Sequence, residues 1–155
     1  MSQTKTFHRV LAPVIAVLTA LAAITALSLA TVPAAEAAPK VKIKTKAPYK
    51  KNQTIKVKLS GFPANAQIAV GVCPTKSNPK GPGDCGSPGK GYSRLTVTNS
   101  KGKLTTTLKV PKGKLGATLR PSAKCNNKKK NKCSVHASSI GGKIVSAKTK
   151  ALNYA

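Results

Sequence analysis

The sequence predicts an all-β protein, an immunoglobulin-like antiparallel β-sandwich of about seven strands with two local disulfides. Three observations carry this. Short segments alternate apolar and polar residues with a period of two, and turn residues separate them every eight to twelve positions. Four cysteines fall into two close pairs, Cys73 with Cys85 and Cys125 with Cys133. No stretch after residue 38 has the spacing of an amphipathic helix.

Val41-Lys42-Ile43-Lys44-Thr45-Lys46 alternates strictly, so one face is buried and the other carries lysine. Pro48 ends this strand and Lys50 to Gln53 turn the chain into Thr54-Ile55-Lys56-Val57-Lys58-Leu59, which repeats the pattern. Gly61 to Ala66 make a second turn. Gln67 to Cys73 follow without a single lysine, as expected of a central strand covered on both faces. Pro74 to Lys90 form a long loop with four prolines and four glycines. Tyr92 to Thr98 alternate again, and Asn99-Ser100-Lys101-Gly102 is expected to turn them back as a hairpin into Lys103 to Val110. A strand bent at Pro121 is expected over Leu115 to Cys125, a lysine loop over Asn126 to Lys132, and strands over Ser134 to Ile140 and Ala147 to Tyr154.

The N-terminus reads as an export signal. Lys5 and Arg9 precede an uncharged, mostly apolar run from Val10 to Ala30, and Ala35-Glu36-Ala37 fits a small-x-small cleavage site. Cleavage there leaves a domain of residues 38–155, 118 in all. It also removes Lys5, Arg9 and Glu36, so the formal charge falls from +26 to +25 and Asp84 becomes the only acid. The expected location is therefore extracellular, with cell-wall association as a variant of it.

In an exported chain, four cysteines read as two disulfides. Three pairings exist, and the sequential one closes the shortest loops. A zinc site is disfavoured, because there is no Cys-x-x-Cys pair and His136 is the only histidine after residue 37.

One carboxylate and one imidazole leave little for general acid–base chemistry, so an enzyme is not expected. Asp84 reads as a turn residue and His136 as a strand residue. Polyanion binding is the function the charge suggests. Lys42, Lys44, Lys46, Lys56 and Lys58 form two strand rows, and Lys128, Lys129, Lys130 and Lys132 crowd one loop. Lysines outnumber arginines 24 to two after residue 37, which favours point-charge contact with phosphates over base reading. The expected partners are DNA or anionic cell-surface polymers, met by a monomer with antimicrobial potential.

The run Gly61-Phe62-Pro63-Ala64-Asn65-Ala66-Gln67-Ile68-Ala69-Val70-Gly71-Val72-Cys73 resembles the approach to the first cysteine in the neocarzinostatin, macromomycin and actinoxanthin family. Cys133-Ser134-Val135-His136-Ala137-Ser138-Ser139 resembles the segment after that family's last cysteine. The resemblance spans essentially the whole chain after residue 37. It implies a seven-stranded sandwich whose cleft shelters an enediyne-type antibiotic chromophore. Cys73 and Cys85 would floor that cleft, and Ser138 would line it. Thr75 stands two residues after the first cysteine, where family members place a large aromatic. The resemblance thus implies, as the alternative to polyanion binding, a carrier of a non-covalent small-molecule ligand that needs no other cofactor and no metal.

Overall fold

The computed structural model describes residues 37–76 and 82–155. Residues 1–36, which hold nearly all of the expected signal, lie outside the described residues, as do 77–81 of the long loop.

Among the described residues there are nine strands. They are β1 (Lys40–Ile43), β2 (Thr54–Ser60), β3 (Gln67–Pro74), β4 (Ser93–Val97), β5 (Leu104–Lys109), β6 (Gly113–Lys114), β7 (Lys124–Cys125), β8 (Cys133–Ser139) and β9 (Ser146–Lys148). One sheet has the order β1-β2-β5 and the other β4-β3-β8-β9. These seven strands make an antiparallel sandwich, and β6 and β7 form a separate two-stranded ribbon. The inner strands β2, β3 and β8 contribute every second side chain to the core. Ile55, Val57 and Leu59 from β2 meet Ile68, Val70 and Val72 from β3 and Val135 and Ala137 from β8, all buried.

The disulfides pair Cys73 with Cys85 and Cys125 with Cys133. The second lies in the hydrophobic core; both of its cysteines have no exposed surface.

Three expectations are corrected. First, β4 and β5 do not form a hairpin. The turn between them exists, with Asn99 Oδ1 accepting from the N–H groups of Lys101 at 3.0 Å and Lys103 at 2.9 Å. It carries the chain across the sandwich instead, so β4 pairs with β3 and β5 with β2. Thr98 fixes the corner, since its buried hydroxyl donates to Pro63 O at 2.6 Å and accepts from Ala66 N–H at 2.9 Å. Pairing β5 with β2 sets Leu108 opposite Ile55 and Leu104 opposite Leu59, so the apolar side chains of the two strands line the same core.

Second, Leu115 to Cys125 is not one bent strand. Gly116 takes a positive φ of 71°, Leu115 N–H bonds back to Ala123 O at 2.8 Å, and the segment becomes the tip of the β6–β7 ribbon. Third, the last strand is short. Beyond β9 the chain drops Leu152 and Tyr154 into the core and ends in an isolated bridge between Tyr49 and Tyr154.

Candidate functional site

The outer face of the four-stranded sheet gathers the residues that the sequence assigns to a ligand cleft. The register puts Ser93 and Leu95 of β4, Ala69, Gly71 and Cys73 of β3, and Ser134, His136 and Ser138 of β8 on one side, with Ser146 and Lys148 of β9. The other side carries Ile68, Val70 and Val72 into the core.

Edge strand β4 reverses the usual pattern. Leu95, 57 % exposed, points outward, while Arg94 and Thr96 share the core side of the register with Val70 and Ile68. Neighbouring Val97 is 56 % exposed. Exposed leucine and valine beside a floor of alanine, glycine and serine give a shallow apolar shelf with hydroxyl groups at its centre. Ser138 lies on this shelf, half-buried, opposite Ala69 and Ser146.

The Cys73–Cys85 bridge closes one end. Cys85 stands directly over Gly71, where an added Cβ would lie 2.8 Å from Ser93 Cβ and 3.3 Å from Cys85 Cβ. Only glycine lets the bridge lie this flat on the strand. Ser93 Oγ ties the same layer together by donating to Gly86 O at 2.6 Å.

The ribbon tip reaches this end as well. Leu119 N–H donates to Gly83 O at 3.0 Å, and Arg120 Nε pairs with Asp84 Oδ1 at 2.7 Å. Asp84 is buried, so the residue that reads as a turn former is also an anchor between the cysteine loop and the ribbon. Its partner lies 36 positions away, and no local pattern announces it. Leu119, 70 % exposed, adds a second large apolar side chain at this rim.

Thr75 follows β3 and donates its N–H to Lys132 O at 2.8 Å. Its hydroxyl is shielded from solvent and has no hydrogen-bond partner among the described residues.

His136 sits on the shelf between Gly71 and Lys148, with Nε2 2.9 Å from Ser134 Oγ. Burial, followed by the nearby Lys148 charge, lowers its pKa from 6.5 to about 4. The folded protein therefore keeps it neutral while the unfolded chain takes up a proton below pH 6.5. The stability this provides is full above pH 6.5 and is lost as pH falls towards about 4. Because the ring is only partly buried, screening limits the loss to roughly 1–2 kcal/mol. No other histidine and only one carboxylic side chain occur after residue 37, so one residue dominates this window. Thermal melts of His136→Gln should show a flatter profile from pH 6.5 to 4 than the parent; identical slopes would mean the imidazole is not held neutral.

The predicted polyanion residues lie on separate elements. Lys42, Lys44 and Lys58 line an open groove of about 750 Å³ together with Lys40 and Lys103, and Val97 borders it. Lys56 lies on the same sheet face opposite Thr107. Lys46 is exposed beyond the end of β1 and does not line the groove. Lys128, Lys129, Lys130 and Lys132 belong to a different loop, where Asn127 bonds the backbone of Tyr154 at the chain's end. A smaller groove of about 480 Å³ runs between β1 and the segment after β9. Among the described residues, no group of histidine, cysteine, aspartate and glutamate could hold a metal ion, and no helix is long and apolar enough to cross a membrane.

The family model for the neocarzinostatin family matches residues 41–151. This chain belongs to the neocarzinostatin family. Among solved structures, macromomycin is similar at 23 % identity with a TM-score of 0.52, over 76 % of this chain and 100 % of that chain. A comparison with curated protein sequences found no match. At that identity the likeness to macromomycin speaks for the fold. The neocarzinostatin family assignment rests on the sequence match, which covers both disulfides and the whole shelf.

Proposed function

We propose that this protein is a carrier of the neocarzinostatin type, holding a small-molecule chromophore without a covalent bond on the outer face of β4-β3-β8-β9. The observation that carries this reading is the outward turn of Leu95 on the shelf whose end the Cys73–Cys85 bridge closes over Gly71. Ala69, Leu95 and Leu119 offer apolar contact, and Ser138 offers a hydroxyl group. The usual large aromatic is replaced by Thr75, so the ligand would be held by aliphatic contact and hydrogen bonds more than by stacking. A carrier needs no acid–base pair, which suits a domain with one carboxylate. Secretion belongs to the same reading. The leader would be cut after Ala37.

Native mass spectrometry of the protein from its producer's culture medium tests both points. The expected mass is that of residues 38–155 with two disulfides plus a small molecule that is lost on unfolding. A bare mass from freshly secreted material would remove the carrier reading, and a mass retaining residues 1–37 would remove the cleavage.

A second reading, non-specific binding of DNA or other polyanions with antimicrobial consequences, is favoured by one observation. Lys42 and Lys58 face each other directly across β1 and β2, and the only acid after residue 37 is engaged elsewhere with Arg120. Like charges in opposed positions destabilise a sheet unless an outside anion neutralises them.

A further inference from the structure

The outer face of the three-stranded sheet is built as two lysine rows. β1 carries Lys40 and Lys42, and Lys44 continues the row by donating its N–H to Lys56 O at 2.8 Å. β2 carries Lys56 and Lys58, with Lys58 opposite Lys42. On the far side, β5 places Thr105 opposite Lys58 and Thr107 opposite Lys56. All these lysines are exposed. Strand geometry sets the two rows about 5 Å apart and spaces lysines within a row by roughly 7 Å.

We propose that this face is a docking surface for one unpaired phosphodiester chain, gripped through its phosphates along the seam between β1 and β2. The inference rests on the polyanion reading above and adds the place and the form of the polymer. With rows about 5 Å apart, phosphates lying over the seam meet ammonium groups from both strands. A duplex presents two backbones across grooves of about 6–12 Å, so one of them would lie off the rows. The groove lining contains no aromatic side chain, so bases would not be stacked and their sequence would not matter. Lysine in place of arginine gives point charges without bidentate reading. The threonine row supplies neutral hydroxyl donors beside the second lysine row. A phosphate chain also removes the repulsion between Lys42 and Lys58, which the protein cannot do with its own residues.

The test compares two variants of equal charge in the purified, disulfide-bonded protein. One is Lys42→Gln, Lys44→Gln and Lys58→Gln; the other is Lys128→Gln, Lys129→Gln and Lys130→Gln. Fluorescence anisotropy with a labelled oligothymidylate, between about 50 and 200 mM salt, gives the salt slope of the binding constant. The sheet variant should reduce the magnitude of that slope by about 2, the value for three lost phosphate contacts on a single strand, and weaken binding at least tenfold at the lower salt. The loop variant should change neither by a comparable amount. Glutamine keeps most of the side-chain stem, and the sheet variant should melt no lower than the parent because like charges have been removed. An equal loss in both variants would overturn the assignment to this face while leaving polyanion binding in place. Tighter binding of duplex DNA than of the single strand would overturn the single-chain form. No binding of either probe by the parent at low salt would overturn the polyanion reading itself.

Discussion

Replacing Cys125 and Cys133 together by alanine should cost about 3–5 kcal/mol, more than the same change at Cys73 and Cys85. Chain entropy alone predicts the reverse order. The separations are 8 and 12 residues, and closing the longer loop stabilises more, near 3 kcal/mol against about 2.5 kcal/mol for the shorter. Burial decides otherwise. Cys125 and Cys133 are part of the core cluster and join the ribbon strand β7 to β8, so their loss also leaves a cavity among fully buried neighbours. Cys73 and Cys85 are buried too, at 0 % and 8 % exposed, but they pack outside that cluster, on the face of β3 opposite Ile68, Val70 and Val72, where their loss opens no cavity in the core between the sheets. Against a typical domain stability of about 5–15 kcal/mol, and with a strongly basic chain repelling itself, the core variant should be largely unfolded at low salt. Urea titrations of the two double-alanine variants measure this. A larger midpoint loss for Cys73→Ala with Cys85→Ala would show that loop closure outweighs packing here.

Gly71→Val should cost roughly 2–4 kcal/mol and abolish ligand retention at the shelf. Valine begins with a Cβ that would sit 2.8 Å from Ser93 Cβ, and its methyl groups have only Ser93 and the Cys85 side chain to displace. Moving Ser93 breaks its 2.6 Å hydrogen bond to Gly86 O and leaves a buried carbonyl unpaired. Moving Cys85 lifts the disulfide from the strand. Either movement reshapes the end of the shelf that the bridge closes. The backbone at Gly71 is ordinary β, so space and not φ makes the position glycine-only. Denaturant midpoints report the stability, and native mass spectrometry reports ligand retention. A valine variant as stable as the parent and still loaded would place the ligand elsewhere.

The Asp84–Arg120 pair shows why part of the candidate site was not legible. Asp84 has the sequence context of a turn, flanked by Gly83 and Cys85, and it does occupy one. Its second role, anchoring the ribbon, depends on a partner brought near only when β6 and β7 fold back. Leu95 misleads in a similar way. Ser93-Arg94-Leu95-Thr96-Val97 announces a strand with one apolar face, and that reading is right. Alternation cannot say whether the apolar face meets the core or the outside, because both give the same period of two. Nor could it choose the partner of β5, where Leu104 and Leu108 fit β2 better than β4.

By itself the sequence determined that the chain is a set of short antiparallel strands, which side chains share a face, and the charge with which the surface must contend. It also marked the residues by which the neocarzinostatin family is identified. These are local properties: a pleat fixes faces every two residues, and the family's cysteine loops span a dozen positions or fewer. Only the tertiary structure decided that β4 and β5 part into different sheets, that Leu95 faces outward, and that the lysines divide between a sheet face and a separate loop. Each of those depends on contacts between residues far apart in the chain, whose energies appear only once the layers have packed.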